Sequence, residues 1–275
     1  MPAGHMEASA LLVDTHAHLN AEEFDKDREA VIGRAVAAGV GAIIDIGSDL
    51  DSCRKSVELA RRPGLYATVG IHPHSARHMA KWVGEIETLA ASPGVVAIGE
   101  IGLDYYRNLS EPSAQRDCFT HFLGLARSLG LPVVVHDRDA HDDVVDLLRL
   151  EHAGDTGGVM HCFSGDVEMA KKCLDMGFYI SLAGPVTFRN NARAQQVVRM
   201  VPDSRLLLET DCPYLTPEPY RGMRNEPGMV RVIAERASAL KGVPPARVVD
   251  ATGANAQRLF GLNRGRRLVA ANLER

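Results

Sequence analysis

The sequence predicts a single-domain α/β protein folded as a (β/α)8 TIM barrel. Eight short apolar or β-branched runs recur at ~20–35-residue intervals with helical patterns between them, as successive βα units require. Several runs are apolar at consecutive positions, the pattern of parallel strands buried on both faces. Unusual polar residues fall immediately after the first, third, fourth, fifth, sixth and eighth runs, the strand ends where a barrel carries its active site. An open doubly wound sheet is the alternative, but it would gather such residues near one switch point.

The runs are 11–15, 41–47, 65–71, 95–101, 132–136, 158–162, 178–182 and 205–210. Between the fourth and fifth, Phe119, Phe122, Leu123, Ala126 and Leu129 share one helical face. Pro112 opens that helix and Gly130 follows it, the positions those residues favour. A helix over 30–38 closes at Gly39, and Val144, Val145, Leu147 and Leu148 form another core-facing stripe. Two more helices follow the last strand, over 229–240 and 245–260. No Gly/Ser- or Pro-rich linker interrupts 11–262, which reads as one barrel domain. Residues 1–10 read as a disordered N-terminus or a cloning remnant, and 263–275 as a basic tail that frays.

The 275 residues carry a net charge of −4, which argues against a broad basic face for nonspecific nucleic-acid binding. Five cysteines without a C-x-x-C pair suit a reducing compartment, and the cytoplasm is the expected location. No apolar run approaches the ~20 residues of a membrane span, and no secretory leader is recognisable. Neither a G-x-G-x-x-G after the first strand nor a G-x-x-x-x-G-K-[ST] occurs, so no nucleotide cofactor is expected.

The chemistry-bearing signal begins with Asp14-Thr15-His16-Ala17-His18 at the end of the first strand. Residues two apart in extended chain point to one face, so His16 and His18 can offer two imidazoles to one ion. Two histidines so spaced also occur in ordinary surface loops, and the further strand ends decide between these readings. The fourth delivers Glu100, an acid in an apolar strand that is costly unless paired or ligating. The fifth ends in His136, the sixth in His161 and the eighth in Asp211. Four imidazoles and two carboxylates exceed what one tetrahedral ion with an open position uses; they suit two ions ~3.5–4 Å apart under a bridging carboxylate. The N/O set without thiolate suits Zn²⁺, Mn²⁺, Fe²⁺ or Co²⁺, whereas Mg²⁺ prefers more oxygen and water. Such a centre activates water for hydrolysis, with Asp211 as general base.

Other residues near the mouth have a bland and a functional reading. His72 and, secondarily, His74 in Gly70-Ile71-His72-Pro73-His74 are expected to meet substrate. Arg189 and Arg221 are candidate phosphate contacts, or surface cations. Tyr105 and Tyr106 stack a base or pack under the loop. Cys162 and Cys212 lack a base partner and read as packing residues, while His78, His121, His141 and His152 read as solvated.

Together, Asp14-Thr15-His16-Ala17-His18-Leu19, Gly70-Ile71-His72-Pro73-His74, Gly99-Glu100-Ile101-Gly102-Leu103-Asp104-Tyr105, His136, His161-Cys162-Phe163-Ser164-Gly165 and Leu208-Glu209-Thr210-Asp211-Cys212-Pro213-Tyr214-Leu215 resemble the TatD family of metal-dependent deoxyribonucleases. The segments 217–227 and 255–260 extend the resemblance, which runs in order over about 11–262. It implies an amidohydrolase-like barrel that cleaves DNA phosphodiesters, commonly from an end and with Mg²⁺ or Mn²⁺. By that resemblance His16, His18, Glu100 and Asp211 hold one divalent ion, and Glu100 bridges to a second held by His136 and His161. His72, Arg189, Arg221 and Tyr106 are the implied or candidate substrate contacts. The expected cofactors are two ions of Mg, Mn or Zn; the expected partner is DNA, single-stranded or at ends, with RNA as a further substrate, and the chain is expected to act as a monomer.

Two other functions fit part of the pattern. A metal-dependent amidohydrolase acting on a small ester, lactone or cyclic amide would keep the site and change the bond. Related barrels of that kind use a carboxylated Lys after the fourth strand, where this chain has Glu100 and no nearby Lys. A barrel that binds metal without catalysis would have no use for so complete a donor set.

Overall fold

The structure is a computed structural model and describes residues 11–263 and 265–270. Strand and helix alternate along the chain: β1 (Leu12–Ala17), α1 (Arg28–Ala37), β2 (Val40–Ile46), α2 (Leu50–Leu59), β3 (Leu65–Val69), α3 (Met79–Ala90), β4 (Val95–Asp104), α4 (Pro112–Leu129) and β5 (Val133–Arg138). The second half continues with α5 (His141–Leu150), β6 (Gly158–Met160), α6 (Val167–Asp175), β7 (Tyr179–Leu182), α7 (Ala192–Met200), β8 (Leu206–Leu208), α8 (Val230–Lys241) and α9 (Pro245–Phe260). The strands lie in sequence order, each parallel to the next. A bridge between Ala17 and Cys212 joins β1 to the end of β8, with His18 N donating to Cys212 O at 2.8 Å and Asp211 N to His16 O at 2.9 Å. The expected (β/α)8 barrel is the fold.

The consecutive apolar runs have a direct explanation in packing. Val133 and Val135 of β5, and Leu206 and Leu208 of β8, pack with the helices; Val134 and Leu207 between them join a second cluster with Val13, Ile44, Val159 and Tyr179. One residue type therefore serves both faces, because the helices cover the outside of the barrel and the strands fill its inside. The helices start and stop where local chemistry directs. Asp49 caps α2 in a reciprocal box with Ser52, and Pro112 opens α4.

Strand boundaries depart from the sequence expectation where the polar residues begin. β4 continues past Ile101 to Asp104 and β5 past His136 to Arg138, because the two pair side by side, Gly102 opposite His136 and Asp104 opposite Arg138. Gly102 permits this. Its φ is +146°, and a Cβ there would overlap the carbonyl oxygen of His136. By contrast β6 and β8 stop short, leaving His161 and Asp211 on the chain just beyond the last ladder pair.

The C-terminal tail, expected to fray, is corrected over its described residues 265–270, which dock: Leu268 is buried, its N–H donates to Gly41 O at 2.8 Å, and Arg266 Nη2 donates to Ala60 O at 3.2 Å. Its positive charges disguised an apolar anchor that fits beside Gly64. Residues 1–10, read as a disordered N-terminus or a cloning remnant, and tail residues 264 and 271–275 lie outside the described residues. No helix among the described residues is long and apolar enough to cross a membrane.

Candidate metal centre

The C-terminal halves of β1, β4 and β5 and the residues just past β1, β6 and β8 bring His16, His18, Glu100, His136, His161 and Asp211 into one cluster. His16 Nε2 lies 3.3 Å from His18 Nε2, 3.5 Å from Glu100 Oε2 and 3.6 Å from Asp211 Oδ1, while His18 Nε2 is 3.4 Å from that Asp211 oxygen. These separations match the edges of a tetrahedron about an ion bound at ~2.0–2.2 Å, which are about 3.3–3.6 Å. His16 and His18 can share one hydrogen bond only if their tautomers differ at Nε2, whereas both Nε2 lone pairs can face a shared cation in the same geometry. The donor set fits a divalent ion.

A second group forms around the other oxygen of Glu100. Glu100 Oε1 is 2.8 Å from both His136 Nδ1 and His161 Nε2, which are 3.4 Å apart. His72 Nε2 joins them, 3.3 Å from His136 Nδ1 and 3.5 Å from Glu100 Oε1. Three-residue groups with metal-ligating reach include His16, His18 and Glu100 on one side and His72, Glu100 and His136 on the other. His72 was expected to meet substrate; the structure sets its ring among these donors, with only 13% of the side chain exposed.

The electrostatics follow from burying so many titratable groups together. Burial works against the charged form of Glu100, but His161, His72 and His136 outweigh it and hold the carboxyl well below its usual range. Burial likewise opposes charge on His161, and Glu100 and Glu209 override it to lift the imidazole well above its ordinary value. His72, with less carboxylate around it, is depressed by burial. Asp211, despite burial, is held below the usual range by His18 and His16. Asp211 sits at φ +56° and Cys162 at φ +40°, left-handed conformations just past the ends of β8 and β6.

A further set of carboxylates supports the donors, and the sequence reading gave them no role. Glu209 Oε1 lies 3.1 Å from His161 Nδ1 and accepts from Cys162 N at 2.8 Å. Asp104 Oδ2 is 3.3 Å from His136 Nε2 and 2.8 Å from His74 Nε2. Such partners fix the tautomer and orientation of a ligating histidine. Asp14 accepts from Thr210 N at 2.8 Å and Thr210 Oγ1 at 2.6 Å, tying β1 to the end of β8, and its burial pushes the carboxyl up to about 8. The available signal was charge in apolar company, as in Leu206-Leu207-Leu208-Glu209.

The remaining candidates stand apart from this cluster. Arg189 is exposed on the segment between β7 and α7. Arg221, in the long loop after β8, lays its guanidinium 4.1 Å above the ring of Phe188. Tyr106 is 60% exposed with Arg138 4.1 Å over its ring, whereas the Tyr105 hydroxyl donates to Asp143 Oδ2 at 2.7 Å. Burial raises the Cys162 and Cys212 thiols well above their ordinary value, so neither is a ready nucleophile. Of the histidines expected to be solvated, His152 is exposed and His78, His121 and His141 are half-buried. His141 Nδ1 is 2.7 Å from Asp137 Oδ2, His121 Nε2 is 2.9 Å from Glu87 Oε1, and His78 packs on Trp82, because neighbouring elements present these partners.

Known proteins resemble this chain in sequence and fold. Residues 13–261 match the family model described as TatD related DNase. The metal-dependent hydrolase YabD of Bacillus subtilis is 44% identical over 258 residues, covering 92% of this chain and all of that protein. A 3′-5′ ssDNA/RNA exonuclease TatD of Citrobacter rodentium is 38% identical over 258 residues, 91% of this chain and 98% of that one. Among solved structures, the TatD homologue YJJV of Escherichia coli superposes with a TM-score of 0.87 at 30% identity, covering 92% of this chain and 98% of that chain. The chain therefore belongs to the TatD-related DNases, a family of metal-dependent hydrolases on a (β/α)8 barrel.

Proposed function

We propose that the protein hydrolyses phosphodiester bonds at the ends of single-stranded DNA, and of RNA, using two divalent cations. One would be held by His16, His18, Glu100 and Asp211, and the second by Glu100, His136 and His161. The observation that carries the reading is Glu100, whose two carboxylate oxygens face different donor groups, Oε2 toward His16 and Oε1 toward His136 and His161. Relatives bearing the name 3′-5′ ssDNA/RNA exonuclease support the substrate class. Five free cysteines agree with a cytoplasmic, reducing setting.

Divalent cations held by these residues would supply Lewis acidity toward the phosphoryl oxygen and would acidify the attacking water. The chain's own groups do the rest. Asp211, ionised at neutral pH, takes the proton that water loses as its oxygen bonds to phosphorus; the P–O bond to the leaving nucleotide breaks, and the departing oxygen keeps the electron pair and takes a proton from solvent. Glu209 and Asp104 keep the His161 and His136 rings turned toward Glu100. Arg138 at the end of β5, Arg189 after β7 and Arg221 after β8 come from the barrel end that carries the cluster and would supply local positive charge for a polyanion.

The test is cleavage of end-labelled single-stranded DNA by EDTA-stripped protein, with and without Mg²⁺, Mn²⁺ or Zn²⁺. Metal-dependent shortening that is absent from Asp211→Asn is the expected result, and the ladder reports which end is attacked. Intact DNA with protein carrying two metals per chain would overturn the proposal in favour of a small ester, lactone or cyclic amide substrate.

A further inference from the structure

A cavity of about 220 Å³ lies between the segments that follow β6 and β7, and the chemistry above makes no use of it. Cys162, the residue after His161, lines it, and one oxygen of Glu209 joins Cys162 N to the His161 ring of the second donor group. Its floor is apolar, with Phe163, Leu182, Ala183 and Val186 all buried. Its rim is polar but largely committed. Asn191 Oδ1 accepts from Ala194 N at 3.1 Å and its Nδ2 donates to Pro185 O at 3.3 Å, while Ser164 Oγ donates to Asp137 O at 3.3 Å. Arg193 alone on that rim makes no hydrogen bond or ion pair among the described residues.

We propose, resting on the nucleic-acid reading above, that this cavity is the subsite for one unpaired nucleobase next to the scissile phosphate, with Arg193 reaching the flanking phosphate. Pockets that enclose a whole drug-sized ligand measure roughly 300–1,000 Å³. A cavity below that range takes a single base and excludes a dinucleotide. An apolar floor beside a metal-ligating cluster suits the π face of a base whose phosphate is held by the cations. A paired base cannot enter, because its complement would meet the rim, so the subsite selects single strands and frayed ends. With Asn191 and Ser164 already engaged, little reads the edge of the base or the 2′-hydroxyl. The subsite therefore tolerates every base and accepts both DNA and RNA.

The experiment compares the metal-loaded full chain on a single-stranded oligomer and on the same oligomer with an abasic residue at its terminus, placed in turn at each end. The abasic substrate is expected to show a KM about tenfold higher at the end that is attacked, the loss that base stacking predicts. Ser164→Trp, which fills the cavity from its exposed rim, should raise KM for the natural oligomer by a similar factor and leave the abasic one unchanged. Equal KM values for the two substrates with wild-type protein, or an equal penalty on both from Ser164→Trp, would overturn the subsite. If Ser164→Trp does not fold, the wild-type comparison still decides, joined by Arg193→Ala. That variant should weaken both substrates alike and reduce the salt slope by about one; no change in either quantity would remove Arg193 from the proposal. Failure to cleave either oligomer would refute the nucleic-acid reading itself, and the subsite with it.

Discussion

Replacing Glu209 by Gln isolates what a buried carboxylate does for a metal-ligating histidine. Glu209 is 1% exposed, accepts from Cys162 N at 2.8 Å and faces His161 Nδ1 at 3.1 Å. Gln keeps the shape and one acceptor oxygen, so the loop and the fold should hold. What disappears is the charge that favours a proton on Nδ1 and thereby leaves the Nε2 lone pair free for a cation. A hydrogen bond to a charged group contributes ~1.5–3 kcal/mol against ~0.5–1.5 for a neutral one. The difference, about 1–1.5 kcal/mol, is about a 5- to 12-fold weaker affinity for one ion, at the low end of the 10–100-fold typical when a ligand's supporting partner is removed. Calorimetric titration of the stripped protein with Mn²⁺ or Zn²⁺ should show one site weakened by about tenfold and the other, built on His16, His18 and Asp211, nearly unchanged. Wild-type affinity at both sites would refute the reasoning. Glu209→Ala should act differently, leaving the Cys162 N–H buried without an acceptor and lowering stability by ~1–3 kcal/mol.

Three other outcomes follow from the geometry. Asp211→Asn should lose about 10²–10⁴ in kcat on DNA while its melting temperature stays within a few degrees, since Asn tolerates the φ of +56° at that position; nearly full turnover would remove Asp211 as the base. His141 is raised above its ordinary value chiefly by Asp137, so folding favours its protonated form. Its contribution should be fully present below about pH 6.5 and fade as pH rises through the raised value. The melting-temperature gap between wild type and His141→Asn should therefore shrink from mildly acid to alkaline pH, and a gap that widened would contradict the assignment. Leu268→Ala in the docked tail removes most of a buried side chain worth ~1.5–3 kcal/mol, and the melting temperature should fall by roughly 3–10 °C; an unchanged melting curve would mean that the tail adds nothing in solution.

The sequence by itself determined the barrel and the neighbourhood of its site. Strand type was legible because helices outside and side chains inside demand apolar residues at consecutive positions, as in Val133-Val134-Val135. The cluster was legible because each of its members interrupts apolar sequence at a strand end, where a barrel gathers side chains from distant parts of the chain. Which groups stand behind the donors was decided only by tertiary structure. Glu209 and Asp211 are two apart just past β8, yet one supports His161 while the other, in a left-handed conformation, faces His16 and His18. His72 reads the same as a substrate contact or as a donor until the folded chain brings it 3.3 Å from His136, a residue 64 positions away. The tail misled for a related reason: its arginines announced solvent, and only the slot beside Gly64 and the Gly41 carbonyl made a buried anchor of Leu268. Spacing along a chain limits which residues share a strand end, but contact between strand ends is a property of the closed barrel.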